Sequence, residues 1–296
     1  MDKFDLYNDI ATRTKGDIYI GVVGPVRTGK STFIKRFMET LILPEILDAN
    51  EQKRATDEMP QSAGGKIVMT TQPKFVPAEA VTMSVGEKVK AKVRLIDCVG
   101  YMVDGAEGDK EDGKPRMVRT PWQEEELPFE KAAEIGTEKV IRDHSTIGVV
   151  VSQDGSVTDI PRAAYVAAEE RVIKEMKALG KPFVMILNTR TPMGPDTLKL
   201  RDALAERYGV TVLAKDLTAM QEADFREVLE KVLLEFPLKT VDFILPDWMR
   251  ALGEENSILA HLVEKIGEGV QNVKKMKDVS ALSHLTDSSE YFSSGE

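Results

Sequence analysis

With 296 residues, 42% of them hydrophobic, the chain can bury a sizeable core and has the length of one large domain or two modest ones. Forty basic against 49 acidic residues give a formal charge of −9 with no long Lys/Arg cluster, which argues against sequence-independent binding of nucleic acid or of anionic lipid. The apolar runs are too short to span a bilayer, the charged start MDKFDLYNDI is no signal peptide, and the single cysteine, Cys98, forms no internal disulfide, so a cytoplasmic protein without a transmembrane segment is expected, with Cys98 as a packing residue.

The first element is an apolar β-branched strand, Ile18 to Val23, that stops at Gly24; a helical pattern follows from Ser31 to about Leu43. Between them stands G-x-x-x-x-G-K-S, a turn whose backbone N–H groups converge on a polyphosphate, aided by the positive end of the helix behind it. Lys30 is expected to reach the β and γ phosphates and Ser31 to ligate Mg²⁺. The nucleotide-holding set on this stretch is Gly24, Arg27, Thr28, Gly29, Lys30, Ser31 and Thr32, with Lys30 read as a solvated side chain of little weight in the core.

Asp48 to Gly65 is polar and reads as a loop. Thr70 and Thr71 follow its Gly-rich end, where a switch hydroxyl could complete the Mg²⁺ shell only with a γ phosphate present; simple strand propensity is the competing reading. Runs at Lys74 to Ser84 and Lys88 to Ile96, separated by Val85-Gly86-Glu87, predict one antiparallel pair. The second run ends in VRLIDCVG, giving D-x-x-G: Asp97 as the carboxylate of the metal site, and Gly100 as the donor of a backbone N–H to the γ phosphate. Ser31, Thr70, Thr71 and Asp97 are therefore the candidate metal ligands, and Lys30, Asp97, Thr70 and Thr71 the candidate catalytic set. Tyr101 stands where a Gln would orient water, so hydrolysis should be slow. Val99 to Pro128, rich in Gly, Pro, Asp and Glu, reads as a long surface excursion. Arg27, Arg116 and Arg119 could stabilise transferred charge but read more simply as solvated arginines.

Helices and strands then alternate: Phe129 to Asp143, Thr146 to Ser152, Pro161 to Leu179, Pro182 to Asn188, Asp196 to Tyr208, Thr211 to Ala214 and Gln221 to Glu235. This predicts an α/β fold of P-loop NTPase type, with a GTPase-like, mostly parallel mixed sheet, one antiparallel strand, helices on both faces and a C-terminal helical extension. Asn188 is expected to bind nucleotide, but Asn188-Thr189-Arg190-Thr191 stands where guanine recognition uses Asn-Lys-x-Asp. A threonine hydroxyl offers no paired acceptors, so ATP is the expected nucleotide. Leu238 to Leu245 is a further apolar run, and Pro246-Asp247-Trp248 reads as the cap of a helix extending to about Lys277. His144, His261 and His284 lack metal-ligand spacing.

The motifs DIYIGVVGPVRTGKSTFIKRFME, PQSAGGKIVMTTQPKFVPAEA, RLIDCVGY, PRMVRTPW, AAEIGTEKVI, HSTIGVVV and GKPFVMILN carry a resemblance to the stage IV sporulation protein A family of spore-coat morphogenetic ATPases, from Met1 to about Trp248 and more weakly beyond. The resemblance implies a GTPase-like domain that has become an ATPase. It further implies hydrolysis that drives self-assembly into a static polymer at the outer forespore membrane of the mother cell, with a small amphipathic membrane-anchoring peptide and other spore-coat proteins as partners. The family's Walker A lysine falls on Lys30, its Walker B aspartate on Asp97 and its sensor threonines on Thr70 and Thr71. The same resemblance makes 1–240 the ATPase domain and 241–296 the start of a truncated middle domain, with polymerisation and peptide docking reduced or lost. A conventional GTPase switch and a structural nucleotide binder without turnover are the alternatives.

Overall fold

The first apolar run forms β1, Asp17–Val23, an inner strand of a six-stranded sheet in the computed structural model. The structure describes residues 17–60, 72–85, 89–111, 113–245, 247–250, 256–271 and 273–284. Next come α1 (Lys30–Phe37), α2 (Ala49–Asp57), β2 (Lys74–Val85), β3 (Val89–Asp97), the short β4 (Lys110–Glu111), β5 (Lys114–Pro115), β6 (Met117–Thr120) and β7 (Gln123–Pro128), and α3 (Phe129–Lys139). β8 (Ile147–Gln153), α4 (Val166–Ala178), β9 (Phe183–Asn188), α5 (Pro195–Tyr208), β10 (Val212–Lys215) and α6 (Glu222–Leu234) complete the alternation. The sheet order is β10-β9-β8-β1-β3-β2, parallel throughout except for the antiparallel β2 at one edge.

Continuous apolar runs explain the middle of this sheet. Every residue of β8 and β9 is buried, the signature of strands covered on both faces. On one face Val150, Met185 and Leu187 join a cluster with Phe129 and Ala133 of α3, Val172 and Met176 of α4, and Leu204 of α5. Outside that cluster, Phe33 and Phe37 of α1 each meet Phe225 of α6 edge-on at 5.4 Å between ring centres. Fully buried phenylalanines stabilise by about 1.5–3 kcal/mol each relative to exposed ones, which anchors α1 against α6.

Within residues 17–233, three stretches differ from the sequence reading. The polar segment after Asp48 contains a helix, α2, whose N-terminus the Asp48 carboxylate caps by accepting the N–H groups of Asn50 and Glu51, both at 2.9 Å. The excursion before α3 carries two hairpins, β4/β5 and β6/β7, stitched by Arg116 N–H to Asp109 O at 2.8 Å and Phe129 N–H to Arg116 O at 2.7 Å. The first long helix widens after Phe37 into a π turn, Met38–Ile42, and then tightens into a 3₁₀ turn, Leu43–Glu45.

The chain divides into two compact units, residues 1–233 and 234–296. In the second, the expected continuous helix is replaced by α7 (Asp247–Arg250) and α8 (Ser257–Val270), then a 3₁₀ segment, Met276–His284. α8 has its own cap, Asn256, whose side chain accepts the Ile258 N–H at 3.0 Å. Leu238 to Leu245 adopts no helix or strand; its start is held by Leu238 N–H to Lys274 O at 2.9 Å. Nearby, the buried Glu235 carboxylate receives Lys275 at 2.6 Å and Lys277 at 2.8 Å.

Candidate nucleotide-binding site

β1 pairs in parallel with β3 on one side and β8 on the other, so the loop after it opens at the point where the chain's crossovers diverge, beyond the carboxyl ends of the strands. Gly24, Arg27 and Gly29 all have positive φ, 144°, 62° and 99°, which curls the loop into a concavity. A side chain at Gly24 would collide with the Val151 carbonyl. The loop is braced from within by Thr28 Oγ1, which donates to Pro25 O at 3.0 Å. α1 then makes its first helical bond from Phe33 N–H to Gly29 O, so the amides of Lys30, Ser31 and Thr32 belong to the turn whose donors have no partner inside the helix.

Lys30 is not solvated: it is 5% exposed, and its ammonium donates to Pro25 O at 2.6 Å and Gly24 O at 3.3 Å, folded back into the loop. Burial holds its pKa below the usual lysine value. Ser31 Oγ donates to Asp97 Oδ2 at 2.9 Å, joining the start of α1 to the end of β3. Asp97 is buried, and its second oxygen, Oδ1, has no hydrogen-bond partner among the described residues. Burial pushes its pKa up to about 6, with the Lys30 charge and the Ser31 hydroxyl pulling the other way. An orphaned buried carboxylate oxygen beside a hydroxyl is the donor set a hard divalent cation takes, so these residues fit Mg²⁺.

Gly100 lies against the same lysine: a Cβ placed on it would stand 2.5 Å from Lys30 Nζ. Its N–H, expected to face a phosphate, instead donates to Thr137 Oγ1 at 3.1 Å. Tyr101 O accepts the Val26 N–H at 2.9 Å, while the Tyr101 ring turns away and its hydroxyl donates to Glu175 Oε2 at 2.5 Å, under the Arg171 guanidinium at 4.1 Å. Thr137 was not singled out by the sequence, for its role rests on a contact across 37 residues that no local spacing encodes.

From the end of β9, the Asn188 amide reaches back to the loop, donating to Thr28 O at 3.0 Å and accepting the Leu217 N–H at 3.3 Å. Beyond it, Thr189 Oγ1 donates to Asp154 Oδ2 at 2.5 Å and Thr191 Oγ1 lies 3.4 Å from Thr197 Oγ1. Gly24, Arg27, Thr28, Gly29, Lys30, Ser31, Thr32, Asp97, Gly100 and Asn188 are thus gathered at one end of the sheet, whereas Thr70 and Thr71 lie outside the described residues. Arg27 is half-buried; Arg116 lies over the Phe129 ring at 5.3 Å, and Arg119 pairs with Glu126 at 3.1 Å.

This sheet order, with a glycine-framed loop and a lysine-led helix after its inner strand, defines a P-loop NTPase fold of the nucleotide-binding, GTPase-like kind. The chain belongs to the stage IV sporulation protein A family, whose ATPase-domain model matches residues 1–237. It is 50% identical over 279 residues to the stage IV sporulation proteins A of Bacillus anthracis and of Bacillus subtilis (strain 168), covering 94% of this chain and 57% of each relative. That of Clostridioides difficile (strain 630) is 50% identical over 278 residues, with the same coverage. The chain therefore spans little more than half the length of these curated relatives. A solved structure titled as a complex of SsGBP with GDP aligns with 78% of this chain and 56% of its own at 12% identity and a TM-score of 0.41. Among the described residues, no helix is long and apolar enough to cross a membrane.

Proposed function

We propose that the chain binds ATP with Mg²⁺ at the loop of residues 24–31 and hydrolyses the β–γ bond, and that turnover in the whole protein drives its self-assembly into the basement layer of the spore coat. The observation that carries this reading is the convergence of Lys30, Ser31 and Asp97 beneath the curled loop, with Asp97 Oδ1 unpartnered among the described residues. Lys30 would exchange two carbonyl partners for phosphate oxygens, a stronger, charge-assisted bond on both sides. Ser31 and Asp97 would hold Mg²⁺, which neutralises charge developing on the β–γ oxygens. Thr70 and Thr71 are proposed to close that shell when the γ phosphate is present. Tyr101, with its hydroxyl committed to Glu175, leaves the position after D-x-x-G without a group to orient water, in keeping with slow turnover. ATP is favoured over GTP because the 188–191 run contains no carboxylate and its hydroxyls are engaged elsewhere.

Residues 1–240 are proposed as the ATPase domain and 241–296 as the start of a following domain. The proposed setting is the mother-cell cytoplasm at the outer forespore membrane, with a small amphipathic anchoring peptide and other coat proteins as partners. Calorimetry with ATP and GTP, beside a phosphate-release assay, tests the reading. Lys30→Ala should lose at least about 100-fold in ATP affinity, the equivalent of two charge-assisted hydrogen bonds. Unchanged affinity would remove the site, a preference for GTP would restore the guanine switch, and binding without phosphate release would leave a structural nucleotide binder.

A further inference from the structure

We propose that Thr137 is the resting partner of the Gly100 amide, a positioning residue that holds this N–H while the γ-phosphate position is empty and yields it when a triphosphate arrives. Thr137 thereby sets how strongly the loop prefers ATP to ADP. The inference rests on the nucleotide reading given above.

Four features support it. Thr137 is 0% exposed in the middle of α3, where a threonine has no advantage over an apolar residue of its size unless its hydroxyl is used. The hydroxyl donates to Ala133 O at 2.8 Å along its own helix, which leaves its lone pairs to accept the Gly100 N–H at 3.1 Å. The Gly100 backbone touches the phosphate-reading apparatus: Lys30 Nζ and the Gly24 carbonyl occupy the space a Cβ would need. The residues on either side of this peptide are anchored to the strand and loop beside it. Asp97 is fixed in register with Val22 on β1, Cys98 Sγ contacts Val22 O at 3.4 Å, and Tyr101 O is tied to Val26 N–H at 2.9 Å. Between these anchors the Val99–Gly100 peptide is hinged on a glycine at φ 94°, in a region of conformational space where only glycine moves at little cost.

The competition between the two acceptors follows from their charge. A neutral hydroxyl satisfies the amide when nothing better is present, and a phosphate oxygen makes a charge-assisted bond roughly twice as strong. ADP places no oxygen at the γ position, so with ADP the amide stays on Thr137. Thr137 is thus a cost charged only against the triphosphate state, because only that state breaks the bond.

Titrating ADP and a non-hydrolysable ATP analogue into wild type, Thr137→Val and Thr137→Ser tests this directly. In Thr137→Val the amide loses its hydroxyl acceptor in the empty and ADP states alike and keeps only the weakly accepting Cys98 sulfur beside it, so ADP affinity should stay as in wild type. Affinity for the ATP analogue should tighten by about 5- to 100-fold, the range spanned by leaving a buried donor unsatisfied. Thr137→Ser restores the hydroxyl and should restore the wild-type ratio. A purely structural threonine would, on removal, weaken both nucleotides alike and leave the ratio where it was, which would overturn the proposal. Should Thr137→Val fail to fold, Thr137→Cys keeps a small side chain with a weak acceptor, and the ratio must rise in the same direction or the proposal falls. Wild type that binds neither nucleotide would sink the loop's reading, and this inference with it; wild type that binds both with an unmoved ratio in the variants would sink this inference alone.

Discussion

Burial pushes the Cys98 thiol up to about 11, against an ordinary 9.0, so at pH 8 its thiolate is roughly 100-fold scarcer than that of a free cysteine. Native protein should therefore react with a thiol-specific disulfide reagent at least about 100-fold more slowly than the urea-unfolded chain, and stoichiometric labelling of the folded state within minutes would contradict the packing role. The sign of the pH effect follows. The folded state keeps its proton longer than the unfolded one, so the contribution is complete below pH 9.0 and is lost as pH rises toward about 11. Lys30 is the residue whose surroundings the sequence conveyed least. G-x-x-x-x-G-K-S locates the lysine but says nothing of where its ammonium rests without phosphate. Only the fold brings the Gly24 and Pro25 carbonyls within 3.3 Å and 2.6 Å of it.

Across elements, Arg162, α4 and α5 are locked together by one buried carboxylate. Glu169, 0% exposed, accepts both Arg162 Nη atoms at 2.7 Å and the Tyr208 hydroxyl at 2.9 Å, and Arg162 also reaches Ser152 of β8 at 3.2 Å. Glu169→Ala strands a largely buried guanidinium and a buried phenol, so it should destabilise by about 3–5 kcal/mol in urea titrations, whereas replacing the pair by apolar residues of similar volume should cost far less than the sum of the single changes. Nothing in the sequence paired these residues. What was legible were elements that write their environment into composition: IGVVVSQ of β8 and FVMILN of β9 are buried throughout and read as inner strands. ANEQKRATD of α2 buries only Ala55, so no apolar stripe announces the helix. Its one signal was Asp48 followed three residues later by Glu51, the spacing of a capping pair. The hairpins β4/β5 and β6/β7 are mostly exposed and were hidden for the same reason. At the site, residues contiguous with a phosphate motif were readable, and Thr137 was not.

At the scale of the whole chain, the six-stranded sheet closes on two outer strands, β10 and the antiparallel β2. β2 loses register with β3 between Val76 and Val81, and there its polar backbone is already spoken for: Glu58 Oε2 accepts the Ala78 N–H at 2.7 Å, and Arg94 Nε donates to Pro77 O at 3.2 Å. Proline at 77 has no N–H to offer, and acidic side chains and breaks of this kind are how sheet edges resist pairing with another copy. At this stretch of the margin, then, a main-chain ladder cannot run from one molecule into the next, and contacts made there have to be made by side chains. In a test of the proposed assembly with the full-length protein, thioflavin fluorescence should stay flat while light scattering rises, and a parallel rise in dye signal would show the margin had been breached. Molecules joined by side chains in this way would be a masonry of intact folded blocks, able in principle to be taken apart without unfolding any of them.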